Sequence, residues 1–86
     1  MRAKRNIVSD DIFSLTGAQI RAARALLRWS AEDLARESRV GVATIRRAEA
    51  HDSSPPMTVA NAQALRRALE AAGVLFIPAN GAGPGV

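Results

Sequence analysis

The twenty residues Ala31 to Ala50, AEDLARESRVGVATIRRAEA, hold two short helical periods on either side of one break. Ser30 precedes the first period, and its hydroxyl is placed to accept from the backbone N–H of Asp33 as an N-cap. Leu34, Ala35 and Ser38 then fall on one helical face. Arg39-Val40-Gly41 interrupts the period, and Val42 to Ala50 resumes it with Ile45, Ala48 and Glu49 on one stripe. Trp29 stands just before one cap and Val40 just before the other. Leu34 and Ile45 lie five residues further on, so each helix carries the apolar pair of a hydrophobic staple. The small side chain of Ala35 leaves room for the second helix to cross closely. The stretch predicts two helices joined by a tight turn.

The flanking chain supplies what such a pair needs for a core. Thr16-Gly17-Ala18-Gln19 is a capping box, with Leu15 and Ile20 as its staple. A helix over Gly17 to Leu27 follows, with Ile20, Ala23, Arg24 and Leu27 on its stripe. Arg24 therefore falls on an apolar face, and so does Glu49. An unpaired charge there is costly, so the two are expected to meet as a partly buried ion pair. His51-Asp52-Ser53-Ser54-Pro55-Pro56 is a loop, because two prolines stop a helix from running through it. A further helix is predicted from Thr58 to Ala72, with Ala62, Leu65, Leu69 and Ala72 buried and Arg66 and Glu70 as an outward i,i+4 pair. Gly73 suits the position just past its end. Val74-Leu75-Phe76-Ile77, bounded by Gly73 and Pro78, reads as a short strand. Upstream, Ser9 is placed to cap a turn through Asp10 to Phe13, with Phe13 closing the end of the core.

A chain of 86 residues makes one small domain. Residues 1–15 read as a basic N-terminal arm, 16–77 as the folded domain and 78–86 as a flexible tail. The 18 alanines against three aromatics, Phe13, Trp29 and Phe76, favour closely packed helices. With no cysteine there is neither a disulfide framework nor a thiolate site. His51 stands alone as a histidine, so no metal is expected. No apolar run is long enough to span a membrane, and Met1-Arg2-Ala3-Lys4-Arg5 leads into no signal-peptide core. The expected location is the cytoplasm. The net charge is +4, and Arg2, Lys4, Arg5, Arg21, Arg24 and Arg28 precede Trp29 with only Asp10 and Asp11 against them. Such an excess suits a polyanionic partner, since each neutralised phosphate releases counterions. A solvated basic surface accounts for the same charge.

The residues Ile20-Arg21-Ala22-Ala23-Arg24, Leu27, Trp29-Ser30, Leu34-Ala35, Val40, Ala43-Thr44-Ile45 and Glu49 together resemble the helix-turn-helix of the phage lambda-repressor and Cro type, the XRE family. The resemblance runs from Thr16 to Glu49. It implies a small all-α domain of four to five helices, here with a short C-terminal β-strand. Arg39 stands where the family has its turn glycine, and Arg28 where a helix-ending glycine is common. Either a left-handed backbone is expected at Arg39, or a turn that departs from the family geometry. Ala31 occupies the place of a glutamine that contacts phosphate in the family.

The resemblance further implies a sequence-specific regulator of transcription, a prokaryotic repressor acting at the nucleoid, whose helix 42–50 enters the major groove of an operator. Carried onto this sequence, the DNA-facing residues are Ala31, Gly41, Val42, Ala43, Thr44, Arg46 and Arg47. Val42 and Ala43 suit a thymine methyl, and Arg47 suits the O6 and N7 of guanine. Arg46 suits either a guanine or a phosphate, and Thr44 a phosphate. A solvated helix face is the plain alternative for Arg46 and Arg47, and Arg24 has a DNA contact as its alternative. A homodimer is expected, since two copies about 34 Å apart read a longer site. The expected dimer element is the strand Val74 to Ile77, which pairs either with a second copy or with Asn6 to Val8 of its own chain. The alternative function is a protein-interaction module on the same fold, an antitoxin or anti-activator that presents that strand. The sequence carries no nucleophile–base set or phosphate loop, so neither an enzyme nor a cofactor is expected.

Overall fold

A computed structural model describes residues 5–9, 15–53 and 57–78. Most of these are helical. In chain order the elements are β1 (Arg5–Ser9), α1 (Gly17–Leu27), α2 (Ala31–Ser38), α3 (Val42–Glu49), α4 (Val59–Ala71) and β2 (Val74–Pro78). The turn expected at Asp10 to Phe13, the role given to Phe13, the prolines of the 51–56 loop and the tail from Ala79 lie outside the described residues.

Three of the helices start where a side chain meets their free amides. The Gln19 N–H donates to Thr16 Oγ1 at 3.1 Å, and the Thr16 N–H donates to Gln19 Oε1 at 2.9 Å. Ser30 and Asp33 exchange the same two bonds at 2.9 Å each, which closes a capping box at α2. Thr58 accepts from the Asn61 N–H at 3.1 Å and starts α4. Only α3 begins without a side-chain cap, on Gly41.

The ends of α1 and α2 share an unusual backbone. Arg28 has φ 58° and Arg39 has φ 64°, both left-handed. An L-residue with a Cβ is held there at a cost of roughly 1 kcal/mol. The chain thus keeps the turn geometry that glycine normally supplies. Ser38, expected on the inner stripe of α2, accepts from the Val40 N–H at 3.1 Å and so tightens the turn instead.

The fully buried side chains are Ile20 of α1, Leu34 of α2, Ile45 of α3 and Leu65 and Leu69 of α4. Every helix therefore contributes to one core. Leu15 and Val40 are buried beside them as staple residues, and Trp29 packs half-buried against the same cluster. Ala62 and Ala72, expected in the core, lie half-buried at its margin. Gly17 brings α1 hard against α3. A Cβ built there would sit 1.8 Å from the His51 carbonyl oxygen and 2.3 Å from that of Ala48.

β1 and β2 pair in parallel, with Ile7 opposite Phe76 and Ser9 opposite Pro78. Of the two partners expected for this strand, the chain's own N-terminal segment is the one observed. The stretch expected as an arm thus contains an element of the fold. Val74 and Phe76 are buried, whereas Leu75 and Ile77 alternate outward. The Arg66–Glu70 pair forms at 3.0 Å. It is not simply outward: the Arg66 guanidinium also lies over the Phe76 ring, 5.4 Å from its centroid. The cause is the packing of α4 against β2.

Candidate nucleic-acid interface

The orientation of α3 is set from its C-terminal end. Arg24 of α1 donates through Nε to Glu49 Oε2 at 2.7 Å and through Nη2 to Glu49 Oε1 at 2.8 Å. Its remaining terminal nitrogen donates to the Trp29 carbonyl at 2.8 Å. One guanidinium therefore ties α1 to α3 and to the segment leading into α2. The hydrogen-bonded Glu49 carboxylate outweighs burial and raises the pKa of Arg24, so the charge is kept. Arg21, one turn earlier, donates to the Glu49 carbonyl and, at 2.6 Å, to Asp52 Oδ1. This covers part of the carbonyl end of α3, which a cation suits.

With Ile45 and Ala48 buried, helical spacing turns the opposite face of α3 to solvent. Gly41, Ala43, Arg46 and Arg47 are all exposed there. Gly41 has φ −60°, an ordinary backbone, and a Cβ at that position would meet nothing within 4 Å. Its absence leaves the start of α3 flat and open. Val42 and Thr44 are half-buried, and Val42 packs partly against the core.

Ala31 departs from the set read off the sequence. Its side chain is 7% exposed and sits in the core. The first turn of α2 points this position inward.

The two arginines of the exposed face differ. Arg46 donates through Nη2 to Glu32 Oε2 on α2. Arg47 has no ion-pair partner among the described residues. Arg39, at the turn, has none among them either. Glu32 was not singled out by the sequence. It stands 14 positions from Arg46, and only the crossing of α2 and α3 brings them together.

Two carboxylates mark the start of α2. The Glu32 carboxyl is held below its ordinary range, first by its own backbone N–H and then by the Arg46 guanidinium. The Asp33 carboxyl is likewise lowered, first by the Ser30 backbone N–H and then by Arg36, which donates to it at 2.9 Å. Negative charge at a helix N-terminus is favourable. It also means that the amides of this N-terminus already have anionic neighbours.

Among the described residues no three His, Asp or Glu side chains gather as a metal ion would require. No described helix is long and apolar enough to cross a membrane. Comparison of the chain with protein families, with curated proteins and with solved structures gives no match.

Proposed function

We propose that the protein is a sequence-specific DNA-binding regulator of transcription, similar to the lambda-repressor and Cro helix-turn-helix proteins, with α3 as the element that enters the major groove. One observation carries this reading. α3 buries Ile45 and Ala48 and presents Gly41, Ala43, Arg46 and Arg47 together on the open side. A flat N-terminal turn followed by arginines is the shape and charge that a groove floor and its phosphate walls accept. Ala43 meets a thymine methyl, Arg47 a guanine edge, Thr44 and Arg46 phosphates. Acting on DNA, the protein works at the nucleoid.

Selection of duplexes from genomic fragments by the purified protein tests the reading. The expected result is one enriched sequence, bound more tightly than its scrambled form and more weakly as salt rises. No enrichment and no salt-sensitive binding would overturn it.

Outward Leu75 and Ile77, 41% and 36% exposed, favour a second role as a surface for a protein partner, a second copy or an unlike chain. The β2 edge toward β1 is already filled, so such a partner meets the outer face rather than that edge. Sedimentation of the free protein and of its operator complex tests the homodimer: a monomer in both would exclude it.

A further inference from the structure

The Arg46–Glu32 pair joins the exposed face of α3 to the first turn of α2. Both side chains remain well exposed, at 59% and 60%. Core packing does not fix them, and the pair opens when a stronger anion approaches Arg46. Glu32 also brings a full negative charge to the side of the motif where a DNA backbone would run. Arg47, one residue on and about 100° around the helix, has no such counter-charge among the described residues.

We infer that Glu32 sets the affinity of the protein for DNA: its carboxylate holds Arg46 and must surrender it before the guanidinium can reach a phosphate. This rests on the DNA-binding reading above and adds to it a division of labour. Phosphates are the same in every sequence, so a penalty on the Arg46–phosphate contact weakens all duplexes alike. It leaves the discrimination made by Arg47 intact. Glu32 thereby lowers binding to the excess of wrong sites without lowering the preference for the right one.

The test is a double-mutant cycle read by DNA titration. Wild type, Glu32→Gln, Arg46→Ala and the double variant are each titrated with the selected duplex and its scrambled form over a salt series. Glu32→Gln keeps the length and an acceptor oxygen while removing the charge. It is expected to tighten binding to both duplexes by a similar factor of about two to five, the weight of one exposed ion pair. The slope of log K against log salt should steepen by up to about one. In the Arg46→Ala background the same substitution should change both quantities clearly less, because only the direct repulsion between Glu32 and the phosphates is then relieved. Unchanged affinity of Glu32→Gln, or an equal gain with and without Arg46, would overturn the inference while leaving the DNA-binding reading standing. No binding by any of the four would overturn both.

Discussion

Arg24 and Glu49 meet as a two-pronged ion pair, with nitrogen–oxygen distances of 2.7 and 2.8 Å, between the first helix and the last turn of the third. The Glu49 side chain is 9% exposed and that of Arg24 is 23% exposed. The pair is largely desolvated, so its worth lies less in attraction than in what each charge suffers alone. It fixes the angle at which α3 leaves the core, and with it the direction in which Arg46 and Arg47 point.

Glu49→Ala should therefore destabilise the protein by about 3 kcal/mol, because Arg24 is left charged and largely covered with only the Trp29 carbonyl to accept from it and no anionic partner. Glu49→Gln should lose less, since it keeps one acceptor. Urea denaturation followed by circular dichroism reads both. A loss below about 1 kcal/mol for Glu49→Ala would mean that solvent already screens the site.

Replacing a glycine inside a helix by alanine normally stabilises by about 1 kcal/mol. Gly17→Ala should do the reverse. The new methyl would lie 1.8 Å from one backbone oxygen and 2.3 Å from another, and neither belongs to a side chain that can swing away. An overpacking loss of about 2 kcal/mol or more is expected. A raised melting temperature for this variant would show that α1 slides off α3 freely.

The left-handed backbones give a gain of the opposite kind. At Arg39, with φ 64°, glycine would remove the clash of Cβ with the backbone. Arg39→Gly should stabilise by about 1 kcal/mol. For a domain of this size that corresponds to roughly 4–8 °C in the thermal midpoint. A drop in midpoint would argue that the arginine side chain contributes more than the strained backbone costs.

Acid should weaken the domain through the start of α2. The Glu32 and Asp33 carboxyls titrate below their ordinary values of 4.5 and 3.8 in the folded protein. The unfolded chain therefore takes up their protons first as the pH falls. Their stabilisation is complete above the unfolded values and is lost as the pH drops through the lower, folded ones. Urea midpoints measured between pH 6 and pH 2.5 should fall through that range for wild type. A Glu32→Gln, Asp33→Asn double variant should fall less steeply. Identical slopes would assign the acid sensitivity to other carboxylates.

On DNA, Arg47→Ala should relax the preference for one guanine per half-site, by the roughly 1–3 kcal/mol that a bidentate contact discriminates. Arg46→Ala should keep the preference and flatten the salt dependence by about one unit of slope. Equal weakening of selected and scrambled duplexes by Arg47→Ala would remove it as the base reader.

Local rules made much of this legible in the sequence. Capping residues and staples are short-range signals, so Thr16, Ser30 and the stripes around Ile20, Leu34 and Ile45 give the helices within a residue or so of their ends. Arg24 and Glu49 were legible because two opposite charges on core-facing stripes have few other solutions. What stayed hidden depends on how finished elements cross. Nothing near Gly17 in the chain announces the carbonyls of Ala48 and His51. Nothing in α2 alone says that Glu32 meets Arg46 or that Ala31 turns inward. Arg66 looked like one half of a surface pair because its ring partner, Phe76, lies on a different element.

The parallel pairing of β1 with β2 also settles how the domain bears load. Arg5 lies opposite Val74 and Ser9 opposite Pro78, so chain continuing before Arg5 and chain continuing after Pro78 leave the sheet at opposite ends, about 13 Å apart. Tension applied through those two points runs along the strands and shears them. Their hydrogen bonds must then yield together rather than peel away one at a time. The four described helices lie wholly between the two strands in sequence and stay shielded from the pull until that clamp gives way.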